Sequence, residues 1–355
     1  MEVNSIQNYH KHTCCSNIYT PDSPATYEQY AKRAVELNQK ILCSLEHGWQ
    51  GKYHECREIA IKYGLKFIFG TEAYWVKDRH EKDRTNCHIV LLAKNENGRE
   101  WINEVLSTAN EDGYYYRPRL DEELLFSLPP NDVFVTSACV AFWHYEPEYV
   151  EQLICKLHDY FKDNFMLEIQ AHNTDKQKQL NTRILELSKK YGIQMIVGLD
   201  SHYIYPEQTV ERDELLAASG THYDDEDGWY MDYPDDDTIC QRFTEQGVIP
   251  ADEVKKAMQN TDLICDFEDY QSEVFETNRK LPSIYPDKTP EEKFKIYNHL
   301  ISQKFKEYMK HVPPEDYQRY YDGVKMEVYT YKDTGMIDYP LMDYEIVKRG
   351  IQYGG

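Results

Sequence analysis

The chain has 355 residues, with 40 Lys and Arg against 62 Asp and Glu, a formal net charge of −22. That balance excludes a whole-chain nucleic-acid clamp, because neutralising phosphates needs basic side chains. Hydrophobic residues at 41%, with 16 Gly and 15 Pro, exclude a disordered or fibrous chain, and no apolar run approaches the roughly 18 residues of a membrane span.

Nucleic acid stays open as the substrate of a metal site, since a bound cation inverts the local field. Met1-Glu2-Val3-Asn4 has no basic and apolar leader pattern, so no secretory signal is expected. The nine Cys form no CxxC pair, which points to free thiols in a reducing cytoplasm.

Seven short apolar runs recur along the first two hundred residues: Ile6–His12, Lys40–Glu46, Lys66–Tyr74, Cys87–Leu92, Asp132–Cys139, Asn164–Gln170 and Gln194–Asp200. They are rich in Ile, Val, Leu and Phe without strict alternation, the pattern of strands buried on both faces. Helical spacing lies between them, at Thr26–Asn38 and at Lys176–Tyr191, where Gly192 supplies the stop signal. Strand–helix alternation predicts a parallel sheet, and seven repeats predict a closed α/β barrel of seven strands, with a doubly wound sheet as the alternative. The character changes after His202. The acidic stretch Tyr223–Thr238 (Asp224, Asp225, Glu226, Asp227, Asp232, Asp235, Asp236 and Asp237) reads as a solvated loop. Helices follow at about 251–265, 290–309 and 314–333, and the proline-bearing stretch Asn278–Pro290 reads as a unit boundary.

Metal-type side chains fall at the strand ends: His10 and His12, Glu46 and His47, Glu72, Cys139, then Asp200 and His202, with His88 opening the fourth run. In an α/β barrel the carboxyl ends of strands meet on one face. An i, i+2 pair on an extended segment shares a side, so His10 with His12, and Asp200 with His202, can each share a cation. Imidazole, carboxylate and thiolate together suit Zn or another first-row divalent ion. Each residue alone reads better as packing; the coincidence of so many strand ends carries the argument. His172 reads as a non-ligand, and His54, His80, His144, His158, His222, His299 and His311 as surface or packing residues. No phosphate-cradling glycine loop or nucleophile elbow competes, and no basic run interleaved with aromatics marks a strand-binding groove.

These residues resemble the polymerase and histidinol phosphatase (PHP) domain at the amino terminus of bacterial DNA polymerase III α subunits. His10-Lys11-His12-Thr13 with Ser16 is similar to the first PHP motif, Glu46-His47-Gly48 and Gly70-Thr71-Glu72-Ala73-Tyr74 to the second and its sequel. His88 to Asn95, Ser137-Ala138-Cys139, Leu167-Glu168-Ile169-Gln170 and Asp200-Ser201-His202-Tyr203 also fit. Past the barrel, Leu281-Pro282-Ser283 and Tyr317 to Gly355 resemble the approach to the polymerase palm. The resemblance implies a distorted seven-stranded barrel over about 1–205, an accessory helical and acidic segment over about 206–275, and a palm-proximal region over 276–355. It implies two to three divalent ions (Zn, Mn, Fe or Mg) on His10, His12, Asp22, His47, Glu72, His88, Cys139, Asp200 and His202, with His10, Glu72, Asp200 and His202 closest to the chemistry. Glu46 stands where the family often has aspartate.

The activity so implied is a metal-dependent phosphoesterase acting as a 3′→5′ exonuclease on a DNA 3′ end. The implied partners are the rest of the polymerase and other replisome subunits. A metal-stapled scaffold and a small-molecule phosphatase of the histidinol-phosphatase type are the competing readings. In the family the nucleotide-adding aspartates come later than the residue matching Gly355, so this polypeptide, as a truncated or split piece, is expected not to polymerise DNA.

Overall fold

The computed structural model describes residues 6–221, 228–268 and 282–354. His222, the acidic residues Asp224, Asp225, Glu226 and Asp227, Leu281 and the boundary near 276 lie outside them. The chain divides into two compact units, Met1–Val274 and Phe275–Gly355.

The first unit holds β1 (Ile41–His47), β2 (Lys66–Trp75), β3 (Cys87–Ala93), β4 (Tyr114–Tyr115), β5 (Arg117–Leu120), β6 (Val133–Thr136), β7 (Phe165–Ile169) and β8 (Met195–Val197). They form one curled, mixed sheet in the order β4-β5-β2-β3-β6-β7-β8, with β1 on β2. Strand β2 is the hub: β1 runs along one edge from Ile41↔Lys66 to His47↔Glu72, β5 continues that edge at Tyr74↔Arg119, and β3 takes the other. The barrel-type α/β architecture expected from the sequence is present, but the expectation of a wholly parallel sheet is corrected at β3, which runs antiparallel to both β2 and β6. The cause is the connection Val76–Asn86, which carries no helix and falls short of the dozen or so residues a parallel crossover takes.

A second correction concerns Ile6–His12, which is not a strand. Lys11 makes a single parallel bridge to Ser201, with His12 N–H donating to the Ser201 carbonyl at 2.8 Å. Towards β1, side chains replace the backbone ladder: Asn8 N–H donates to Gln39 Oε1 at 2.9 Å and Lys40 N–H to Gln7 Oε1 at 2.8 Å. The buried Lys11 ammonium donates to the Cys43 carbonyl and lies over the Tyr27 and Tyr30 rings at 5.5 and 5.1 Å.

Side-chain alternation sorts the sheet into two apolar layers. Ile41, Cys43, Leu45, Ile68, Val90, Leu92, Phe134, Met166 and Ile196 face inward with Tyr9. Leu42, Phe67, Phe69, Ile89, Leu91, Val135 and Leu167 face outward, against helices at Tyr27–Glu36, Tyr53–Tyr63, Glu96–Glu111, Pro147–Phe161 and Asp175–Tyr191. The first of these starts at a Thr26–Gln29 capping box, and the last stops at left-handed Gly192. The acidic stretch is only in part a solvated loop. Asp232 is buried in a two-pronged ion pair with Arg242 at 2.6 and 2.8 Å, and Asp235 caps the helix Asp236–Gln246.

The second unit packs helices Pro290–Tyr308, Tyr317–Asp333 and Asp338–Gln352 around Tyr297, Val328, Ile337 and Leu341. Asp338 ties the third of these helices to the first and to the segment before it, accepting from Lys293 and Ser283, each at 2.7 Å. No helix of the described residues is long and apolar enough to cross a membrane.

Candidate metal centre

The inner layer is apolar at its base and polar at one rim. Following each inward row by two residues leads to the site: Leu45 to His47, Gly70 to Glu72, and, on the reversed strand, Val90 back to His88. Glu72 is the focus. Its fully buried carboxylate lies 3.2 Å from His10 Nε2, 3.4 Å from His12 Nε2, 2.6 Å from His47 Nδ1 and 3.0 Å from His88 Nδ1. Asp200 Oδ1 approaches the same ring atoms, 3.4 Å from His10 Nε2 and 3.2 Å from His12 Nε2. Cys139 Sγ is 3.5 Å from His88 Nδ1, and Asp22 reaches His202 Nε2 at 3.5 Å. His12 and His47 stack with ring centroids 3.8 Å apart. All nine residues singled out in the sequence meet at this rim.

Among the described residues three overlapping groups (His12, His47 and His202; His10, His12 and Glu72; His47, Glu72 and His88) offer donor atoms close enough to hold an ion. Asp22, Cys139 and Asp200 are not in those groups but line the same space. Buried polar atoms ordinarily find hydrogen-bond partners. Here His10 Nε2, His12 Nε2, His47 Nδ1, both Glu72 oxygens and Asp200 Oδ1 find none of acceptable geometry, although they crowd together. Imidazole nitrogens and carboxylate oxygens crowded into one buried space without well-formed hydrogen bonds make a donor set that suits divalent cations. The backbone is strained at two of these positions: Asp200 has φ 47° and Ala138, beside Cys139, φ 46°.

Electrostatics agree. Burial alone would lower His10, but Glu168 and Asp200 hold it well above its usual range. Burial likewise opposes the shift of His47, which Glu72 pushes up to about 9. His12 falls to about 3 through burial and the His47 charge. Glu72 stays well below the usual carboxylate range against burial, because His88 and His47 face it. Burial, with Glu72 and Asp200 beside it, raises Cys139 far above an ordinary thiol. Near pH 7 the metal-free site therefore holds protons on His10, His47 and Cys139 that a cation has to displace. Titrating Zn²⁺ or Mn²⁺ into metal-free protein at pH 7 is expected to release about three protons when all three groups ligate, read as a calorimetric enthalpy that scales with the ionisation enthalpy of the buffer. A buffer-independent enthalpy would contradict a shared site.

Two further carboxylates support the centre without joining its ligand set. Glu46 points away from the centre because its neighbour His47 points in; its carboxylate accepts from Thr13 N–H at 3.1 Å, Thr13 Oγ1 at 2.7 Å and the Ser16 hydroxyl, shaping the loop that carries His12. Glu168, two residues beyond inward Met166, faces the site. It receives His10 Nδ1 at 2.7 Å, Tyr9 Oη at 2.7 Å, Thr136 Oγ1 at 2.9 Å and Gln170 Nε2 at 2.9 Å. Gly198 opens the space for it, since a Cβ there would sit 1.9 Å from Glu168 Oε1. His172 accepts from Tyr230 N–H at 3.0 Å on Nδ1 and packs on Trp229, which fixes its ring proton on Nε2.

A curled α/β sheet that gathers imidazoles and carboxylates at one rim defines a barrel-type protein with a site suited to divalent metals. Residues 8–172 match the PHP domain family, and the chain is similar in sequence to DNA polymerase III α subunits. It is 30% identical to the DNA polymerase III subunit alpha of Aquifex aeolicus over 225 residues, 59% of this chain and 19% of that protein. It is 22% identical to the Helicobacter pylori J99 subunit over 99% of this chain and 31% of that protein. The chain thus spans a minor part of the length of both. Among solved structures, a protein described as a metal-dependent phosphoesterase from Bifidobacterium adolescentis is 15% identical, covering 59% of this chain and 95% of its own at a TM-score of 0.36.

Proposed function

We propose that His10, His12, Asp22, His47, Glu72, His88, Cys139, Asp200 and His202 hold two to three divalent ions, and that the centre hydrolyses DNA phosphodiesters from a 3′ end in the service of a polymerase of the III α type. The observation that supports this is the set of buried donor atoms on His10, His12, His47, Glu72 and Asp200 left without hydrogen-bond partners. Divalent ions, when bound, supply Lewis-acid stabilisation of a phosphoryl group and an activated water.

The chain's own residues do the rest. His10, His12 and Glu72 are fully buried and fix the floor of the site. The His88 and Asp200 side chains, 18% and 13% exposed, stand at its mouth, where a phosphodiester enters. The asymmetry sets a polarity: ligands below, substrate above. Residues 1–275 would then form the PHP domain and 276–355 the start of the palm-proximal region.

The test is elemental analysis together with degradation of a 5′-labelled primer by metal-replete protein. Two or three equivalents of metal are expected, with progressive shortening from the 3′ end, abolished by His10→Ala with His12→Ala. Equal shortening by that double variant would sink the proposal. Metal with a chelator-sensitive melting temperature but no shortening would favour a stapled scaffold instead.

A further inference from the structure

The protein is strongly acidic, yet one side of the metal centre carries arginines that pair with no carboxylate among the described residues. The path starts at the ligands. Tyr74, inward on β2, meets the His88 ring edge-on at 5.2 Å and the His47 ring at 6.4 Å. Gly48, at φ 68°, makes this approach possible, since a Cβ there would fall 2.6 Å from the Tyr74 ring. Tyr19 packs edge-on against Tyr74 at 5.9 Å, and the Arg117 guanidinium lies over both rings, at 4.5 Å from Tyr19 and 5.8 Å from Tyr74.

Beyond Arg117 the β4–β5 hairpin leads outward. At its tip Tyr114 and Tyr116 are more than half exposed, and Tyr116 is held at φ 63°, a backbone that few non-glycine residues adopt. Arg84 stacks on Tyr116 at 4.1 Å and donates to its hydroxyl. The hairpin is rigidly based. Arg119 is buried and donates to the carbonyls of Gly113, Glu81, Asp83 and Arg79. Arg119 of Arg117-Pro118-Arg119 thus builds the loop, while Arg117 donates to the Tyr116 carbonyl at 3.2 Å and meets no carboxylate among the described residues.

Tyrosine faces alternating with unpaired guanidinium groups are the composition of a single-strand platform, where bases stack and phosphates meet cations. The sequence carries it as Tyr114-Tyr115-Tyr116-Arg117, too short to register as a basic run. From the contiguity of this track with His47 and His88, we propose that Tyr19, Arg84, Tyr114, Tyr116 and Arg117 bind single-stranded nucleic acid and feed its end to the metal centre. The inference rests on the reading of that centre as a phosphodiester-cleaving site.

The experiment measures fluorescence anisotropy of a fluorescein-labelled oligothymidylate, about 12 nucleotides long to span one single-strand site, with the whole chain in chelator, so that cleavage does not intervene. Wild-type affinity is expected to fall with salt. Arg84→Gln with Arg117→Gln is expected to weaken binding about tenfold or more and to flatten the salt dependence by about one to two ions. Tyr116→Gly, which removes the ring and relieves the backbone, is expected to weaken binding several-fold with the salt slope unchanged. Oligothymidylate binding equal to wild type in the double variant, or displacement of the probe as efficiently by polyglutamate as by unlabelled oligothymidylate, would overturn the proposal. Binding through these residues without any cleavage in metal would refute the catalytic reading and leave the platform standing. Cleavage with binding indifferent to both arginines would refute the platform alone.

Discussion

Glu72→Ala is expected to empty the centre. Among the described residues the carboxylate is the one group recorded within 3.4 Å of four separate imidazoles, so its removal takes ligands from several ions together. Bound metal should fall by at least one equivalent per chain. If the ions supply the several kcal/mol of transition-state stabilisation that Lewis acids provide, hydrolysis should drop by about 10³-fold or more. Stability should fall as well, because deleting one side of a buried ion pair leaves the other uncompensated, at about 3–5 kcal/mol. Glu72→Gln separates the two effects: the isosteric amide keeps the packing and a carbonyl acceptor, and should lose metal with a smaller drop in melting temperature. Metal content per folded protein, counted by elemental analysis after circular dichroism establishes the fold, is the deciding measurement. Wild-type content in Glu72→Ala would remove the basis for treating the rim as a metal centre.

Much of this rim was legible before any coordinates, and the reason is the two-residue period of a strand. Where an inward row of apolar residues ends in a histidine or carboxylate, the polar group sits at the mouth of the barrel: Ile41, Cys43, Leu45, then His47; Ile68, Gly70, then Glu72. The position of His88 at the start of its run, when its companions stood at ends, was the visible mark of a reversed strand; reading all strands as parallel passed over it. Ile6–His12 misled in the opposite sense. It has the composition of a strand, but its backbone N–H groups go to the Ser201 carbonyl and the Gln39 side chain, while its own Gln7 side chain accepts from Lys40 N–H, and such non-local pairing leaves no periodic trace. Asp22 could be placed only by resemblance, because it sits on the loop between Cys14 and Pro24, where no alternation rule operates. The Arg117 platform escaped because stacking partners came from Tyr19 and Tyr74, remote in sequence from the hairpin that carries the arginine.

Glu168 was readable by the same rule and was overlooked, since Met166 faces inward and Glu168 is the next residue on that face. Its consequence can be measured. Four side chains direct hydrogen-bond donors at its two oxygens, so the carboxylate is immobile and His10 donates from Nδ1. The Nε2 lone pair is then left facing Glu72 and Asp200. A carboxylate behind a metal-binding imidazole fixes tautomer and orientation and raises basicity, and losing it typically costs about 10- to 100-fold in metal affinity. Glu168→Gln should show that loss, because the amide nitrogen meets donors where oxygen met them before. Gly198→Ala offers an independent route to the same end. It changes no polar group, but its methyl would lie 1.9 Å from Oε1 and 2.2 Å from Cδ, driving the carboxylate off His10. Metal dissociation constants from chelator competition, compared with melting temperatures of the metal-free proteins, distinguish positioning from mere support. Both variants should bind metal more weakly than any loss of metal-free stability explains. If either melts earlier but binds metal with wild-type affinity, Glu168 only braces the inner layer between Tyr9 and Thr136, and His10 finds its orientation without it.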